Sequence, residues 1–459
     1  MALDIVIMAA GKGTRMKSAR PKVLHRLAGR SLLQHVLDTV GSLGADRIIV
    51  VTGHGADEVE TANAAPGVHF VRQMPQLGTG HAVQQAAPLL HDDGTTLILN
   101  GDVPLIEAAT ARHLVDDCGG QRLALLAIEL PDPSGYGRIV RDGQAVRGIV
   151  EHKDATDAQR AIREVYTGMM AAPTAALKRW LARLGNDNAQ GEYYLTDVVA
   201  MAVSDGVPVR ATHARTDTEV LGVNSPAQLA DLERRYQRGR AEALMEAGVR
   251  LADPARVDVR GEIVCGSDVE IDVNCVFEGR VEIGDGARIG ANCVLRNAIV
   301  GPRAVIHPFT HMDGEAAGIR IGAGALVGPF ARLRPGADLG EDVHIGNFVE
   351  VKNSTLARGA KANHLAYLGD ADVGERVNYG AGSITANYDG ANKHRTVIGA
   401  DVHVGSNCVL VAPMTIGPGA TIGAGSTVSK QAPAGELTVA RARQVVVAGW
   451  TRPLKVKKG

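Results

Sequence analysis

Two short segments of this sequence carry residue types that bind phosphates and a divalent cation. The first, Gly11–Arg15, reads Gly-Lys-Gly-Thr-Arg and follows an apolar stretch, with Lys22 just downstream. Glycines let backbone amides approach phosphate oxygens, and the basic side chains add positive charge. The second segment places Asp102 soon after the apolar run Thr95–Leu99. A carboxylate there can hold Mg²⁺, which prefers oxygen ligands and often shares a substrate's phosphates.

Each segment also has an ordinary structural explanation when taken alone. A glycine-rich turn after a strand is common, and Gly11–Arg15 matches neither a Walker A loop nor a GxGxxG fingerprint. An aspartate after a strand is often a turn residue or a helix cap. Together the two segments favour a binding site, because ligands of open α/β sheets bind beyond the carboxyl ends of the strands.

A second set of polar residues lies far along the chain, in otherwise bland sequence. His364 stands among small and aliphatic residues, and the polar loop 386–390 follows it. Lys352 and Asn378 lie within two or three coils of it, and Arg334 is another candidate. A lone histidine is more often structural, but such a gathering of polar groups indicates a binding surface. With an ordinary pKa of about 6.5, a histidine there can take a proton as general base.

The elements that must position these residues differ between the two halves of the chain. Residues 1–225 alternate strand and helix patterns, which favours a mostly parallel, doubly wound, Rossmann-like α/β sheet. The predicted strands are Ile5–Met8, Ile48–Thr52 and Thr95–Leu99, and the predicted helices are Ser31–Ser42 and Gly80–Leu89.

One long helix is predicted between the halves. Ser225 is a suitable N-cap, Pro226 suits the first helical position and Gly248 suits the far end. Apolar residues between them keep helical spacing. We therefore predict a connecting helix over about residues 226–247 and three domains, 1–225, 226–248 and 249–459.

From about Val257 onward, an aliphatic residue followed by a small one returns every six residues. This period is typical of a hexapeptide parallel β-helix with one short strand per hexad. We expect it to be triangular and left-handed, against the usual crossover rule, with flat faces that favour three-fold association. The repeats run to about residue 430, with breaks near 306–318 and 380–396. Pairs on this grid include Ile283-Gly284, Ile289-Gly290, Leu339-Gly340, Ile345-Gly346, Ile416-Gly417 and Ile422-Gly423.

Length, composition and charge narrow the possible classes of protein. A chain of 459 residues, 45% hydrophobic and 22% charged, is typical of a soluble protein with two or three domains. The net charge of −1 gives no reason to propose bulk binding to nucleic acid or to a membrane. The five cysteines form no CxxC pair, which argues against zinc and a disulfide framework. No signal-peptide or membrane-spanning pattern is evident, so we expect a cytoplasmic protein.

The order of the motifs resembles one family. Gly11–Arg15 with Lys22 is similar to the pattern of sugar-1-phosphate nucleotidyltransferases. Over essentially its whole length, the chain resembles the bacterial N-acetylglucosamine-1-phosphate uridyltransferases that are fused to a glucosamine-1-phosphate acetyltransferase. The other motifs that carry this resemblance are Gln73, Gly78-Thr79-Gly80, Gly101-Asp102, Gly135-Tyr136-Gly137-Arg138, Glu151-His152-Lys153 and Gly222-Val223-Asn224.

In the N-terminal half, the resemblance implies transfer of UMP from UTP to N-acetylglucosamine-1-phosphate, which gives UDP-N-acetylglucosamine and pyrophosphate. Asp102 and Asn224 would hold Mg²⁺, and Gly137 and Glu151 would contact the sugar. Tyr166 stands where the family usually has asparagine, so its hydroxyl or backbone would have to make that sugar contact. Such chemistry needs positioning and charge neutralisation, without a protein nucleophile. The implied nucleotide and sugar site comprises Met8, Ala9, Ala10, Gly11, Lys22, Gln73, Gly78, Thr79, Asn100, Gly101, Asp102, Gly137, Glu151, Tyr166 and Asn224.

In the C-terminal half, the resemblance implies transfer of an acetyl group from acetyl-CoA to the amine of glucosamine-1-phosphate, with His364 as general base. The family forms homotrimers whose acetyltransferase sites lie between subunits, and its product supplies cell-wall and lipopolysaccharide synthesis. The implied sugar-phosphate contacts are Arg334, Lys352, Tyr367 and Asn378. The implied acetyl-CoA contacts are Ala381, Asn387, Tyr388, Ser406, Ala424 and Arg441.

Two other functions remain open from the sequence. A monofunctional sugar-1-phosphate nucleotidyltransferase with a purely oligomerising β-helix would have no reason to combine His364, Lys352 and the 386–390 loop. A non-catalytic assembly or regulatory subunit would be free to lose the phosphate-binding lysine and the metal-binding residues, which are all present. The basic C-terminal residues form either a solvated tail or a contact with CoA phosphates. They are Arg452, Lys455, Lys457 and Lys458.

Overall fold

The computed structural model describes residues 2–455, and the chain divides into two compact units between Tyr236 and Gln237. This division falls within helix Pro226–Glu246, which confirms the predicted connecting helix. The Ser225 hydroxyl accepts a hydrogen bond from Gln228 N at 3.2 Å, and Gly248 has a φ of 93° beyond the last turn. These are the cap conformations expected of serine and glycine. Within residues 2–455, no helix combines the length and apolar character needed to cross a membrane.

A nine-stranded sheet forms the centre of unit 1. Leu3–Met8 pairs in parallel with Arg47–Thr52 on one side and Thr95–Asn100 on the other. These central strands are mostly apolar because helices cover both faces of the sheet. The α/β sheet is confirmed, but Glu164–Pro173 runs antiparallel within it and pairs with a hairpin. The remaining strands of unit 1 are Arg26–Leu27, Arg30–Ser31, Val68–Arg72, Leu123–Glu129, Gly137–Asp142, Ala145–Val150 and Val209–His213.

Both predicted helices of unit 1 are confirmed, but one of them ends earlier than predicted. Ser31 caps the first helix, since its hydroxyl accepts from Gln34 N at 3.1 Å. The predicted helix Gly80–Leu89 ends at Ala86, and a 3-10 turn that contains a proline replaces its last residues. A proline cannot donate the backbone hydrogen bond that an α-helix needs. The helices are Leu32–Gly41, Ala56–Asn63, Thr79–Ala86, Ala108–Cys118, Asp157–Arg160, Thr174–Leu181, Asp197–Ser204 and Pro226–Glu246, with 3-10 turns at Thr14–Met16, Lys22–Leu24, Ala87–Leu89 and Thr218–Val220.

Unit 2 stacks short parallel strands in rows, which confirms the predicted β-helix. Equivalent residues of regular coils, such as Asn274 and Asn292, are 18 residues apart, which corresponds to three hexads per coil. Aliphatic residues and alanines fill the interior and form one continuous core. The first row consists of Arg250–Leu251, Glu270–Ile271, Arg288–Ile289, Val305–Ile306, Leu326–Val327, His344–Asn347, Lys361–His364, Asn378–Tyr379, His403–Val404, Thr421–Ile422 and Leu437–Thr438.

The other two rows of strands belong to one sixteen-stranded sheet. Its long strands Val257–Cys265, Cys275–Ile283 and Val294–Val300 come first, and the sheet divides after them because Val294–Val300 pairs with two later strands at once. One branch consists of His311–Asp313, Arg332–Leu333, Glu350–Lys352, Tyr367–Gly369, Ile384–Ala386, Val409–Val411 and Thr427–Val428, and the other of Ile319–Ile321, Ala337–Leu339, Ser354–Leu356, Ala371–Val373, Thr396–Ile398 and Met414–Ile416. A 3-10 turn, Pro254–Arg256, precedes the first of these strands.

Both predicted breaks in the repeat occur, and both are narrower than expected. Asn378 and His403 stack in adjacent coils although they are 25 residues apart, because a loop over 387–395 is inserted between them. Strand Ile384–Ala386 survives inside the predicted break. The earlier break is confined to the residues after strand His311–Asp313. The β structure also continues beyond residue 430, to Leu437–Thr438.

Candidate functional sites

The loop after strand Leu3–Met8 borders a cavity of about 510 Å³ in unit 1. Gly101 N donates to Met8 O at 2.9 Å, which brings the end of the neighbouring strand beside this loop. Gly13 has a φ of 59°, and a Cβ there would lie 2.7 Å from Lys22 Cβ, so the loop itself requires a glycine. Gly11 also lines the cavity, yet a Cβ there would meet nothing within 4 Å. The space beside Gly11 is therefore open for a ligand.

The Lys22 ammonium lies between the two residues predicted to hold a metal. It forms an ion pair with Asp102 and donates to Asn224 Oδ1 at 3.1 Å. A carboxylate oxygen and an amide oxygen thus converge on one cationic group, and these are ligand types that Mg²⁺ accepts. No group of three or more His, Cys, Asp or Glu within residues 2–455 could hold a metal ion. The donor set fits a cation that takes its other oxygens from substrate phosphates or water.

The far side of this cavity is fixed by the turn before helix Thr79–Ala86. Gln73 is buried, and its Nε2 donates to Gly78 O at 2.8 Å. Gly78 has a φ of 107°, and a Cβ there would lie 2.6 Å from Tyr193 O. The Thr79 hydroxyl accepts from Leu195 N at 3.1 Å. Gln73, Gly78 and Thr79, three of the predicted nucleotide contacts, therefore lie together in one wall of the cavity.

A second cavity of about 220 Å³ in unit 1 is lined by the predicted sugar contacts. Glu151 is partly buried there, and Thr196 Oγ1 donates to its Oε1 at 3.0 Å. Burial raises the pKa of the Glu151 carboxyl, although the hydrogen bond from Thr196 opposes this. Gly137 lies so close to Ile149 that a Cβ would approach its side chain to 2.7 Å. The residues that line both cavities are Met8, Thr79 and Asn100.

Tyr166 also lines this second cavity. It belongs to strand Glu164–Pro173 and pairs with Gly137 of the hairpin. Its side chain is buried, and its hydroxyl has no hydrogen-bond partner among the described residues. Burial, and to a lesser extent the charge of Glu151, raises the pKa of Tyr166 well above its ordinary value. An unpaired buried hydroxyl costs about 1–3 kcal/mol, so the fold retains this group at a cost.

In unit 2, His364 lies on the outside of the β-helix at the end of strand Lys361–His364. Its Nδ1 hydrogen-bonds with Asn347 Oδ1 at 2.9 Å, from the coil before. In the next coil, Gly382 N donates to His364 O at 3.3 Å. Backbone hydrogen bonds of about this length repeat from coil to coil, so His364 belongs to a regular corner of the solenoid.

The same corner carries several of the predicted acetyl-CoA contacts. Asn407 N donates to Ala381 O at 2.7 Å, and Gly425 N donates to Ser406 O at 2.8 Å. The Arg441 guanidinium donates to the backbone oxygen of Ala424 at 2.6 Å. The contacts that the structure aligns along this corner are Ala381, Ser406, Ala424 and Arg441.

A group of three cations comes from the branch of strands that contains Glu350–Lys352 and from the inserted loop over 387–395. Arg334 pairs with Glu350 at 2.9 Å. Contact with the Lys393 ammonium, together with partial burial and the charge of Arg334, holds the pKa of Lys352 below its ordinary value. Lys393 was missed in the sequence, although it lies in the break of the repeat that indicated a functional loop. Three cations close together favour an anionic group such as a phosphate.

Asp370 is another functional candidate that the sequence did not single out. It is buried, and it accepts hydrogen bonds from Asn353 Nδ2 at 2.5 Å and from Asn387 Nδ2. This carboxylate therefore anchors the start of the inserted loop. A Cβ at Gly369 would collide with the hydroxyl of Tyr367, so the glycine leaves room for that side chain.

Two other predicted contacts of unit 2, Asn378 and Tyr388, make separate hydrogen bonds. Asn378 belongs to the first row of strands, and its Nδ2 hydrogen-bonds with His403 at 3.2 Å. Tyr388 is 61% exposed, and its hydroxyl donates to Gly390 O at 2.6 Å within the inserted loop. Of the basic tail, Arg452 and Lys455 are exposed. Lys457 and Lys458 lie outside the described residues.

Family models match both units of the chain. Residues 5–191 match the MobA-like NTP transferase domain. The bacterial transferase hexapeptide (six repeats) matches residues 262–297, 318–353 and 395–430. Together these matches define the class: a nucleotidyltransferase domain and a hexapeptide-repeat transferase domain in one chain.

Relatives over the full length of the chain place it within that class. "Bifunctional protein GlmU" from Methylibium petroleiphilum is 76% identical over 462 residues, with 99% of each chain covered. The proteins of the same name from Acidovorax sp. (strain JS42) and Cupriavidus pinatubonensis are 68% and 58% identical, over 100% and 99% of this chain and 100% of each relative. The chain belongs to the family of bifunctional GlmU proteins. It is a bifunctional enzyme with uridylyltransferase and acetyltransferase activities.

Proposed function

We propose that unit 2 acetylates glucosamine-1-phosphate with acetyl-CoA and that unit 1 then uridylylates the product with UTP and Mg²⁺. The observation that carries this proposal is the pairing of two different sites in one chain. Unit 1 places Lys22, Asp102 and Asn224 at a cavity bordered by a glycine-rich loop. Unit 2 places a histidine and three cations on neighbouring parts of a β-helix.

In unit 1, a phosphate oxygen of N-acetylglucosamine-1-phosphate attacks the α-phosphorus of UTP, and pyrophosphate leaves. The chain contributes orientation, because the loop backbone at Gly11 and the Lys22 ammonium hold phosphates while Gln73 and Gly78 border the nucleotide. Asp102 and Asn224 would hold Mg²⁺, which supplies charge neutralisation at the phosphates when it is bound. No residue of unit 1 has to form a covalent intermediate.

In unit 2, the amine of glucosamine-1-phosphate attacks the thioester carbonyl of acetyl-CoA, and the CoA thiolate leaves. With Asn347 Oδ1 as acceptor, the imidazole proton of His364 lies on Nδ1, so Nε2 is free to take the proton of the amine. Arg334, Lys352 and Lys393 would hold the sugar phosphate. Asp370 holds Asn387 in place beside them.

We further propose that the protein works as a homotrimer, on the strength of an exposed aromatic ladder in unit 2. Phe309, Phe330 and Phe348 stack in successive coils with ring centroids 4.9 and 5.5 Å apart. Each is about half exposed, and the 62% exposed Leu365 continues the series next to His364. Exposed apolar columns of this kind mark interaction surfaces. Three copies around an axis would cover the ladder and bring a second chain near His364.

Two assays on the unaltered protein test this proposal. The first measures pyrophosphate from UTP plus N-acetylglucosamine-1-phosphate, and the second measures thiol from acetyl-CoA plus glucosamine-1-phosphate. We expect both activities. A chelator should stop the first and spare the second, and added Mg²⁺ should restore it. Absence of thiol release would contradict the proposal for unit 2 and favour a monofunctional nucleotidyltransferase.

A further inference from the structure

The connecting helix Pro226–Glu246 borders the predicted metal site of unit 1 through Gln228, in its first turn. Gln228 is exposed and lines a third cavity of about 250 Å³, which is also lined by Asp102 and Asn224. The motifs that carry the family resemblance end at Asn224 and do not include this glutamine. A side chain of the helix therefore lies beside both predicted metal ligands.

Gln228 makes a hydrogen bond that differs from the usual arrangement at the start of a helix. In a capping box, the glutamine three residues after the cap accepts from the backbone amide of the cap itself, which here is Ser225. Instead, Gln228 Oε1 accepts from the backbone amide of Asn224, one residue earlier, at 2.9 Å. The Ser225 hydroxyl still accepts from Gln228 N, so the helix keeps its cap without the glutamine side chain. Helix capping alone therefore does not account for Gln228.

The bond between Asn224 and Gln228 is one of two that fix the backbone next to the predicted metal ligands. Val223 N donates to the backbone oxygen of Asp102 at 3.0 Å, so the turn that carries one ligand is tied to the other. The Oδ1 atom of Asn224 accepts from the Lys22 ammonium at 3.1 Å, and this ammonium also pairs with Asp102. Hydrogen-bond partners that hold a ligand in place raise metal affinity.

Apolar packing holds the connecting helix against the same part of unit 1. Leu232 of the helix lies in one buried cluster with Val223 and Met16. Val223 directly precedes Asn224, and Met16 directly follows the glycine-rich loop. The first turns of the helix therefore support both the turn that carries a predicted metal ligand and the loop that would hold phosphates, and they do so within unit 1.

We propose that Gln228 is a positioning residue of the uridylyltransferase site. Its carboxamide oxygen holds the backbone of Asn224, so that the Asn224 side chain faces Asp102 and the two together hold Mg²⁺. Because a backbone N–H group can only donate, the oxygen of the carboxamide must be the atom that faces Asn224. This inference rests on the function proposed for unit 1 and adds the connecting helix to its site.

The first test is Gln228→Leu, since leucine keeps the helix propensity but offers no hydrogen-bond acceptor. The probe is Mn²⁺, which shares the preference of Mg²⁺ for oxygen ligands and whose free concentration can be measured by EPR. With saturating UDP-N-acetylglucosamine, we expect the dissociation constant of Mn²⁺ to rise about tenfold, the lower end of the effect of losing a partner of a metal ligand.

Activity provides a second measurement on the same variant. The Mg²⁺ concentration that gives half-maximal pyrophosphate release should also rise about tenfold, while the rate at saturating Mg²⁺ stays close to that of the unaltered enzyme. Thiol release by unit 2 should not change, which shows that the variant is folded.

Two further variants separate the positioning of Asn224 from the stability of the helix. Gln228→Glu keeps an acceptor for the Asn224 amide, so it should bind Mn²⁺ at least as tightly as the unaltered enzyme. Ser225→Ala removes the helix cap but not that acceptor. It should lower the melting temperature by about 2–4 °C and leave the dissociation constant of Mn²⁺ unchanged.

Three results would overturn the inference: an unchanged dissociation constant in Gln228→Leu, an equal loss of affinity in Gln228→Glu, or an equal loss in Ser225→Ala. The last would mean that helix stability alone accounts for the effect. Failure of the proposed function looks different, because the unaltered enzyme would then release no pyrophosphate and bind no Mn²⁺ in the presence of UDP-N-acetylglucosamine.

Discussion

The two candidate sites are built in opposite ways. In unit 1, loops at the carboxyl ends of parallel strands border a partly open cavity, and the main polar groups are largely buried: the side chains of Lys22 and Asp102 are 13% and 21% exposed. In unit 2, Asp370 and Asn387 are buried, but other candidate groups lie on the outside of a repeating coil, where His364 and Tyr388 are exposed. The sheet therefore concentrates a site in one place, whereas the coil distributes it along a surface.

This difference has consequences for what each site needs. Burial of the main polar groups of unit 1 lowers the local dielectric constant, which strengthens the charge interactions between them. A surface site gains that advantage when something covers it, and the aromatic ladder beside His364 offers a surface for another copy of the chain. Unit 1 should therefore be self-sufficient, and unit 2 should depend on assembly.

The largest expected effect separates the two sites by single substitutions. Asp102→Ala should lower pyrophosphate release by about 10²–10³-fold, the range for loss of charge stabilisation at a reacting group, and spare thiol release. His364→Ala should lower thiol release by about 10²–10⁴-fold, the usual contribution of a general base, and spare pyrophosphate release. Each variant is the control for the other in the two assays. Loss of both activities from one change in a folded protein would refute separate sites.

The next effect tests whether only unit 2 depends on assembly. Phe330→Glu places a charge in the middle of the aromatic ladder, so the trimer should dissociate, as measured by light scattering. Burying an unpaired charge at an interface costs several kcal/mol. Because unit 2 depends on assembly, acetyl transfer should fall at least about tenfold when the trimer dissociates. Uridylyl transfer should be unchanged. Val264→Glu alters a similarly exposed apolar residue away from the ladder and should keep the trimer. A trimeric, fully active Phe330→Glu protein would contradict the assembly proposal.

The sequence predicted the architecture of both units, but it missed some of the candidate residues in unit 2. The hexad repeat predicted the β-helix because each hexad repeats the same local environment, and the strand ends predicted the positions of Asp102 and the glycine loop. It missed Lys393 and Asp370, since only the folded coils bring Lys393 beside Lys352 and Asp370 beside Asn387. Such contacts join residues from different coils, and no local pattern reports them.

A smaller effect tests whether the open space beside Gly11 belongs to the substrate. Gly11→Ala should fold normally, because a Cβ there meets no protein atom within 4 Å. It should raise KM for UTP on the order of tenfold, since the methyl group keeps phosphates from the backbone. Gly13→Ala should instead lower stability by about 1–2 kcal/mol, because its left-handed φ and the close Lys22 side chain both oppose a Cβ.

Gly185→Ala is the matched control for this pair. A Cβ at Gly185 also meets nothing within 4 Å, and this residue does not line the cavity. It should change neither KM nor the melting temperature. An unchanged KM for UTP in Gly11→Ala would remove Gly11 from the nucleotide site.

The smallest effect concerns the stability that the unit 1 site loses through a buried carboxyl. Burial raises the pKa of Glu151 above its ordinary value of 4.5, so its ionisation opposes folding at neutral pH. Glu151→Gln should therefore raise the melting temperature at pH 8, although it should also raise KM for the sugar phosphate. The gain should shrink as the pH falls and should vanish only well below 4.5, where the carboxyl is protonated in both the folded and unfolded states. Glu129→Gln, at an exposed position of the same sheet, should show no gain.

The exposed site of unit 2 is the comparison for the effect of Glu151→Gln on the melting temperature. His364 is outside the β-helix and loses only a surface hydrogen bond to Asn347 on substitution, so His364→Ala should leave the melting temperature nearly unchanged. If Glu151→Gln were equally neutral at every pH, burial would not set the energetics of the unit 1 site. A gain confined to the higher pH values would instead mean that unit 1 gives up stability to keep a carboxylate where the sugar binds, whereas unit 2 does not give up comparable stability for an exposed base.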